Sequence, residues 1–178
     1  MIIGIDGRCA AGKTTLAATL AQKVGAQIVH MDDFFLRPEQ RTDQRLAEPG
    51  GNVDRERVES QVLKPLHDGR TTSYQPWNCR ALCFEPAIEL DPHAPLTIVE
   101  GSYALHPELR GYYDLTMFVD VDPAEQRRRL EARNAALLRR FLDEWIPMEE
   151  RYFTSTDTRR FADITLSLNG EPSGEPTN

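Results

Sequence analysis

Short apolar, β-branched runs alternate along this chain with stretches of helical periodicity. Met1-Ile2-Ile3-Gly4-Ile5, Gln27-Ile28-Val29-His30, Leu96-Thr97-Ile98-Val99-Glu100-Gly101 and Leu115-Thr116-Met117-Phe118-Val119-Asp120 read as buried strands. Asp163-Ile164-Thr165-Leu166 is short enough for a fifth, edge strand. Between them, Lys13 to Val24 reads as a helix stopped by Gly25, a left-handed C-terminal cap. Asp54 begins a helix to about Leu66, with Val58, Val62, Leu63 and Leu66 on one stripe. Asp122-Pro123-Ala124-Glu125 is a helix start: capping Asp, proline at the first position, Glu at the third. Leu137, Leu138, Phe141, Leu142, Trp145 and Met148 form the stripe of the next helix, which Pro147 should kink or break. Strands alternating with helices predict a parallel sheet with helices on both faces and ligands bound beyond the strands' carboxyl ends.

The remaining segments are polar. Residues 36–53 read as a mobile loop with a flexible turn at Pro49-Gly50-Gly51-Asn52. Thr71 to Trp77 and Glu85 to Leu90 read as a hairpin that its prolines keep at an edge or outside the main sheet. One domain, residues 1–168, is expected, followed by a disordered tail at 169–178 of Gly, Pro, Glu and Ser.

Composition narrows the partners. Twenty-one basic against 28 acidic residues leave a net charge of −7, which argues against nucleic acid or an anionic membrane as the main partner. No apolar run is long enough to span a membrane, and the three cysteines lack disulfide or zinc spacing, so a reduced, cytoplasmic setting is expected. Arginine outnumbers lysine heavily, which directs attention to clustered arginines as phosphate clamps.

The chemistry concentrates after the first strand. Gly7-Arg8-Cys9-Ala10-Ala11-Gly12-Lys13-Thr14-Thr15 fits G-x-x-x-x-G-K-[ST], set between a strand and a helix as the motif requires. Glycines let successive N–H groups point at phosphate oxygens, and the helix N-terminus adds its dipole. Lys13 would neutralise phosphate, and the Thr14 hydroxyl would ligate Mg²⁺. Acidic residues gather at the strand ends: Asp6, Asp32 and Asp33, Glu100, then Asp120 and Asp122. As a group beside a phosphate loop they read as magnesium ligands and a catalytic base, Glu100 being of Walker-B type. Asp54 alone reads as an N-cap. Tyr74 and Trp77, with Arg80 nearby, either face a base or sugar or hold the hairpin down. The helix carrying Arg127, Arg128, Arg129 and Arg133 is too polar to be buried and reads as a lid that closes arginines over a triphosphate.

With these residues together, the chain from Ile2 to about Leu166 resembles the uridine kinase and phosphoribulokinase group of P-loop kinases. Gly7 to Thr15, Asp32-Asp33-Phe34-Phe35, Asp54, the Tyr74 to Arg80 hairpin, Glu100-Gly101 and Arg129 with Arg133 carry the likeness. Asp32-Asp33-Phe34-Phe35, Trp145 and Pro147-Met148 also look like nicotinamide riboside kinase. The resemblance implies an α/β P-loop NTPase fold: a five-stranded parallel sheet of order 2-3-1-4-5, a small substrate-side hairpin and an arginine-bearing lid at about 123–142. It implies transfer of the ATP γ-phosphate to a sugar hydroxyl. Asp32 would be the general base, Lys13 and Arg129 would join it in catalysis, and Arg133 would bind nucleotide. Asp33, Asp54, Tyr74, Trp77, Arg80 and Arg129 would meet the acceptor, and Thr14, Glu100 and Asp32 would hold Mg²⁺. Gln75-Pro76-Trp77-Asn78-Cys79 replaces the Tyr-Asp and histidine of uridine kinases, and Arg139-Arg140 replaces their Glu-Arg-Gly-Arg lid run. The acceptor therefore stays open between a nucleoside or riboside and a sugar or vitamin alcohol. A non-catalytic nucleotide-binding regulator is the competing class, and homo-oligomerisation is left open.

Overall fold

The computed structural model describes residues 1–168; the expected tail at 169–178 lies outside them. The chain opens with β1 (Ile2–Gly7), α1 (Lys13–Val24) and β2 (Gln27–His30). Next come α2 (Asp43–Ala47) and α3 (55–67). The hairpin strands follow: β3 (Thr72–Tyr74), β4 (Trp77–Asn78), β5 (Cys83–Phe84) and β6 (Ile88–Leu90). β7 (Thr97–Glu100), β8 (Leu115–Asp120), α4 (Pro123–Asn134), α5 (138–156), α6 (Thr158–Phe161) and β9 (Ile164–Ser167) complete the described chain. The main sheet runs β2-β7-β1-β8-β9 with every pair parallel. Counting its five strands alone, this is the order 2-3-1-4-5.

β1 lies at the centre and is buried along its whole length because both faces of the sheet are covered. Ile3, Ile5, Ile98 and Val119 pack with Ala17 of α1 on one side. Ile2, Val29 and Phe118 pack with Val58 and Val62 of α3 and Phe153 of α5 on the other. The hairpin stands outside the sheet, as its prolines require. It pairs in two short steps, Thr72–Tyr74 with Ile88–Leu90 and Trp77–Asn78 with Cys83–Phe84.

Two expectations need correction. Residues 36–53 fold into a turn at Pro38–Gln40 and α2, capped by Thr42 on the Arg45 N–H at 3.1 Å. The Arg45 guanidinium then ties Gly51 O, Val53 O and Glu56, so the segment is held and not an open loop. Pro147 does not end its helix. A π turn at Phe141–Trp145 precedes it, and Pro147 falls in the first turn of Ile146–Thr156, where a missing N–H costs little. Of the apolar stripe expected of this helix, Leu137, Phe141 and Trp145 are not buried, and all three face a cleft.

Candidate active site

Beyond Gly7 the backbone turns through left-handed conformations at Ala10 (φ 58°) and Gly12 (φ 99°) into α1. Gly7 itself has φ 138°, and a Cβ there would lie 2.0 Å from the Val119 carbonyl oxygen, so only glycine lets the loop leave the sheet here. Lys13 Nζ donates to the Gly7 and Arg8 carbonyls at 2.6 and 2.9 Å, folding the lysine along the loop that it follows. Asp6 sits fully buried beneath. It accepts from Gly7 N at 2.6 Å, Tyr103 N at 3.1 Å, Leu105 N at 2.9 Å and the Tyr152 hydroxyl at 2.9 Å. Burial pushes its carboxyl up to about 6, against the pull of those donors and Lys13. Asp6 is thus a structural tie and not a magnesium ligand. Asp120 pairs with Arg8 and Arg159, and Asp122 caps α4. Of the strand-end acids, Asp32 and Glu100 line the cleft.

That cleft measures about 870 Å³ and lies over the carboxyl ends of the strands. Lys13, Thr14, Asp32 and Glu100 line one side of it. Phe35, Asn52, Arg80 and Tyr103 also line it, as do Arg129 and Arg133 from α4, Leu137 from the turn that follows, and Phe141 and Trp145 from α5. The Thr14 hydroxyl donates to Glu100 Oε1 at 3.0 Å, and His30 Nδ1 meets the same oxygen at 2.6 Å. The Glu100 contact raises the His30 pKa. Asp32 opens to solvent through the cleft mouth, yet the surrounding walls raise its pKa, with the Glu100 charge adding to the effect and Lys13 opposing it. A hydroxyl and a carboxylate side by side are the hard oxygen donors that Mg²⁺ takes, since it needs one or two carboxylates plus phosphate oxygens. Among the described residues no cluster of three His, Cys, Asp or Glu forms a closed metal cage.

The 3₁₀ turn Met31–Phe34 separates the two neighbouring aspartates. Asp32 faces the cleft, while Asp33 accepts from the Tyr74 hydroxyl at 2.9 Å. They diverge because of this turn, not because of strand alternation.

Four expected acceptor residues lie outside the cleft lining, Asp33 among them. Asp54 is 3% exposed; it caps the Arg57 N–H at 3.2 Å and accepts from Gln40 at 2.7 Å, so its carboxylate is engaged inside the fold. Tyr74 is 2% exposed and stacked on Phe34 at 5.0 Å, which leaves no ring face for a base. Trp77 packs edge-on against Phe84 and is absent from the cleft lining. Arg129 lines the cleft but is held: it pairs with Glu125 at 2.8 Å and donates to the carbonyls of Ala10 and Leu168. With Gln126 and Leu130 also buried, the start of α4 is a fixed root, and the exposed stretch of the expected lid begins at Glu131.

Sequence reasoning missed the cleft roles of Phe35, Asn52, Tyr103, Phe141 and Glu149. The i, i+4 spacing of Phe141 and Trp145, ring centroids 4.5 Å apart, was the available signal for one of them. The Asn52 side-chain oxygen is buried at the cleft wall without a hydrogen-bond partner among the described residues.

No family model matches the chain. Solved structures share its fold. A possible uridine kinase from Bacillus stearothermophilus superposes with a TM-score of 0.72 at 19% identity, covering 93% of this chain and 88% of the other. Phosphoribulokinase from Rhodobacter spheroides gives 0.63 at 15%, covering 99% and 72%. D-glycerate 3-kinase from Cryptococcus neoformans gives 0.55 at 13%, covering 84% and 78%. The chain has the P-loop kinase fold.

Proposed function

We propose that this protein is an ATP-dependent small-molecule kinase that transfers the γ-phosphate to a hydroxyl of a nucleoside or riboside. One observation carries the reading: a phosphate loop, the Thr14–Glu100 oxygen pair and the Asp32 carboxylate open into a single cleft. The P-loop amides and Lys13 hold the phosphates, and Arg133 approaches from the lid side. Asp32 orients the acceptor hydroxyl and takes its proton as the oxygen attacks the γ-phosphorus in line. A new P–O bond forms, the bond to the β-phosphate oxygen breaks, and ADP leaves. The loose transition state asks more of orientation and charge than of base strength. Thr14 and Glu100, with Asp32 nearby, would hold Mg²⁺, which would supply charge neutralisation at the phosphates. Asp54 supports this site from beneath as a positioning cap.

A second acceptor reading, a sugar, vitamin alcohol or nicotinamide riboside, is favoured by the packing of Tyr74 and Trp77. With the hairpin rings engaged, any flat group would meet Phe35, Phe141 and Trp145 instead. Radiolabelled phosphate transfer from ATP to a panel of nucleosides, ribosides, sugars and pantothenate-like alcohols tests both. Acceptor-dependent ADP release is expected. ATP binding with no acceptor-dependent turnover would move the regulatory reading to the front.

A further inference from the structure

The phosphate loop is gripped from outside by the two helices that roof the cleft. Glu149 of α5 is 4% exposed; its Oε2 accepts from the Cys9 N–H at 3.0 Å and its Oε1 from the Ser102 hydroxyl at 2.5 Å. The next residue, Glu150, pairs with Arg8 at 3.1 Å. From α4, Gln126 donates to the Cys9 carbonyl at 3.0 Å. A buried anion beside a loop that binds phosphate works against the ligand through like-charge repulsion. Among the described residues, no ion pair of Glu149 with a Lys or Arg offsets that cost. A carboxylate in this place makes sense for what it joins. Charge-assisted bonds to an N–H and an O–H are stronger than neutral ones, and they link α5 both to the phosphate loop and to the turn after β7. Glu149 also lies one and two helical turns beyond Trp145 and Phe141 on the same helix.

We infer that Glu149 is a positioning residue that couples the phosphate loop to the cleft-facing half of α5. Nucleotide seated on the loop then sets the position of the Phe141–Trp145 wall, and the wall's position in turn biases the loop. The coupling rests on the nucleotide-binding reading above, and it adds a residue that the phosphate-loop motif does not contain.

Trp145 reports directly on the coupling. In a Trp77→Phe background, binding of a non-hydrolysable Mg·ATP analogue should shift Trp145 fluorescence. Glu149→Ala should weaken the analogue about tenfold, the worth of one hydrogen bond to a charged group, and abolish the shift at saturation. Glu149→Gln keeps an oxygen for the Cys9 N–H but loses the charge, and should restore both in part. A Glu149→Ala variant with wild-type affinity and amplitude overturns the coupling. So does a Glu149→Gln variant as impaired as Glu149→Ala at unchanged melting temperature, which would leave only a charge effect. If Glu149→Ala does not fold, Ser102→Ala removes one of the two bonds and should show a smaller loss of the shift; an intact shift there also overturns it. A wild type with no affinity for the analogue fails at an earlier step and overturns the proposed function itself.

Discussion

The cleft has two ends built on different principles. At the phosphate end, recognition is written into the backbone: positive φ at Gly7, Ala10 and Gly12, a lysine laid along the loop, and a buried aspartate binding the loop to the turn after β7. At the proposed acceptor end the wall is made of side chains such as Phe35, Asn52, Phe141 and Trp145, carried on short turns and a helix with a π turn. A backbone site can change little without losing its ligand. A side-chain site on such supports can change its residues while the fold stays, so one fold can carry different sites.

The contrast can be tested from its strongest point downward. Lys13→Ala should lose most Mg·ATP binding and essentially all transfer. Because Lys13 Nζ also holds two loop carbonyls, a small drop in melting temperature should accompany the loss, and calorimetric titration with thermal unfolding separates the two. Wild-type affinity would break the assignment of the phosphate end. Asp32→Asn, nearly isosteric, should leave ATP binding intact and lower transfer by about 10²–10⁴. The Asp32 pKa is raised, so protonation should cut the wild-type rate at a higher pH than an ordinary carboxylate would, and this acid limb should vanish in the variant. Asp33→Asn, which only loosens the Tyr74 bond, should cost far less.

Arg133→Ala comes next. It is exposed on the cleft's lid side, and its loss should lower kcat on the order of 10² with little change in ground-state ATP binding. The smallest effects belong to the acceptor wall. Trp145→Ala should raise the acceptor KM a few-fold, roughly the worth of one stacked ring, and spare that for ATP. Tyr74→Phe should lower the melting temperature by a few degrees with no KM change. If the two outcomes are reversed, the hairpin and not α5 holds the acceptor.

Legibility in the sequence follows the same division. The bounds of α1, β2 and β8 and the Gly25 cap could be read because apolar runs and glycine chemistry are local signals. The phosphate loop was legible for the same reason. The 3₁₀ turn under Asp32, α2 and the π turn at Phe141–Trp145 were not, because no periodic or glycine signal marks them; α2, for one, is held by side-chain bonds of Arg45 to Gly51 and Val53. Helical periodicity marked Phe141 and Trp145 as a stripe, but it cannot tell a face that meets the core from one that meets a cleft. Asp54 and Tyr74 show the converse: in this fold a carboxylate and a ring from a recognition pattern are engaged in internal hydrogen bonds and packing, which no local signal reports.

Arg129 has one more consequence. Its guanidinium spans from the phosphate loop to the carbonyl of Leu168, just after the outermost strand, and the Leu168 side chain lies 3.5 Å from where a Cβ on Gly12 would be. β9 is largely exposed and pairs on one side only, so in local unfolding it belongs to the low-energy end of the sheet. Fraying there withdraws one of the loop's supports, so the edge of the sheet and the loop are energetically linked. A ligand that steadies the loop should therefore also slow amide exchange along β9, an edge strand, without touching it.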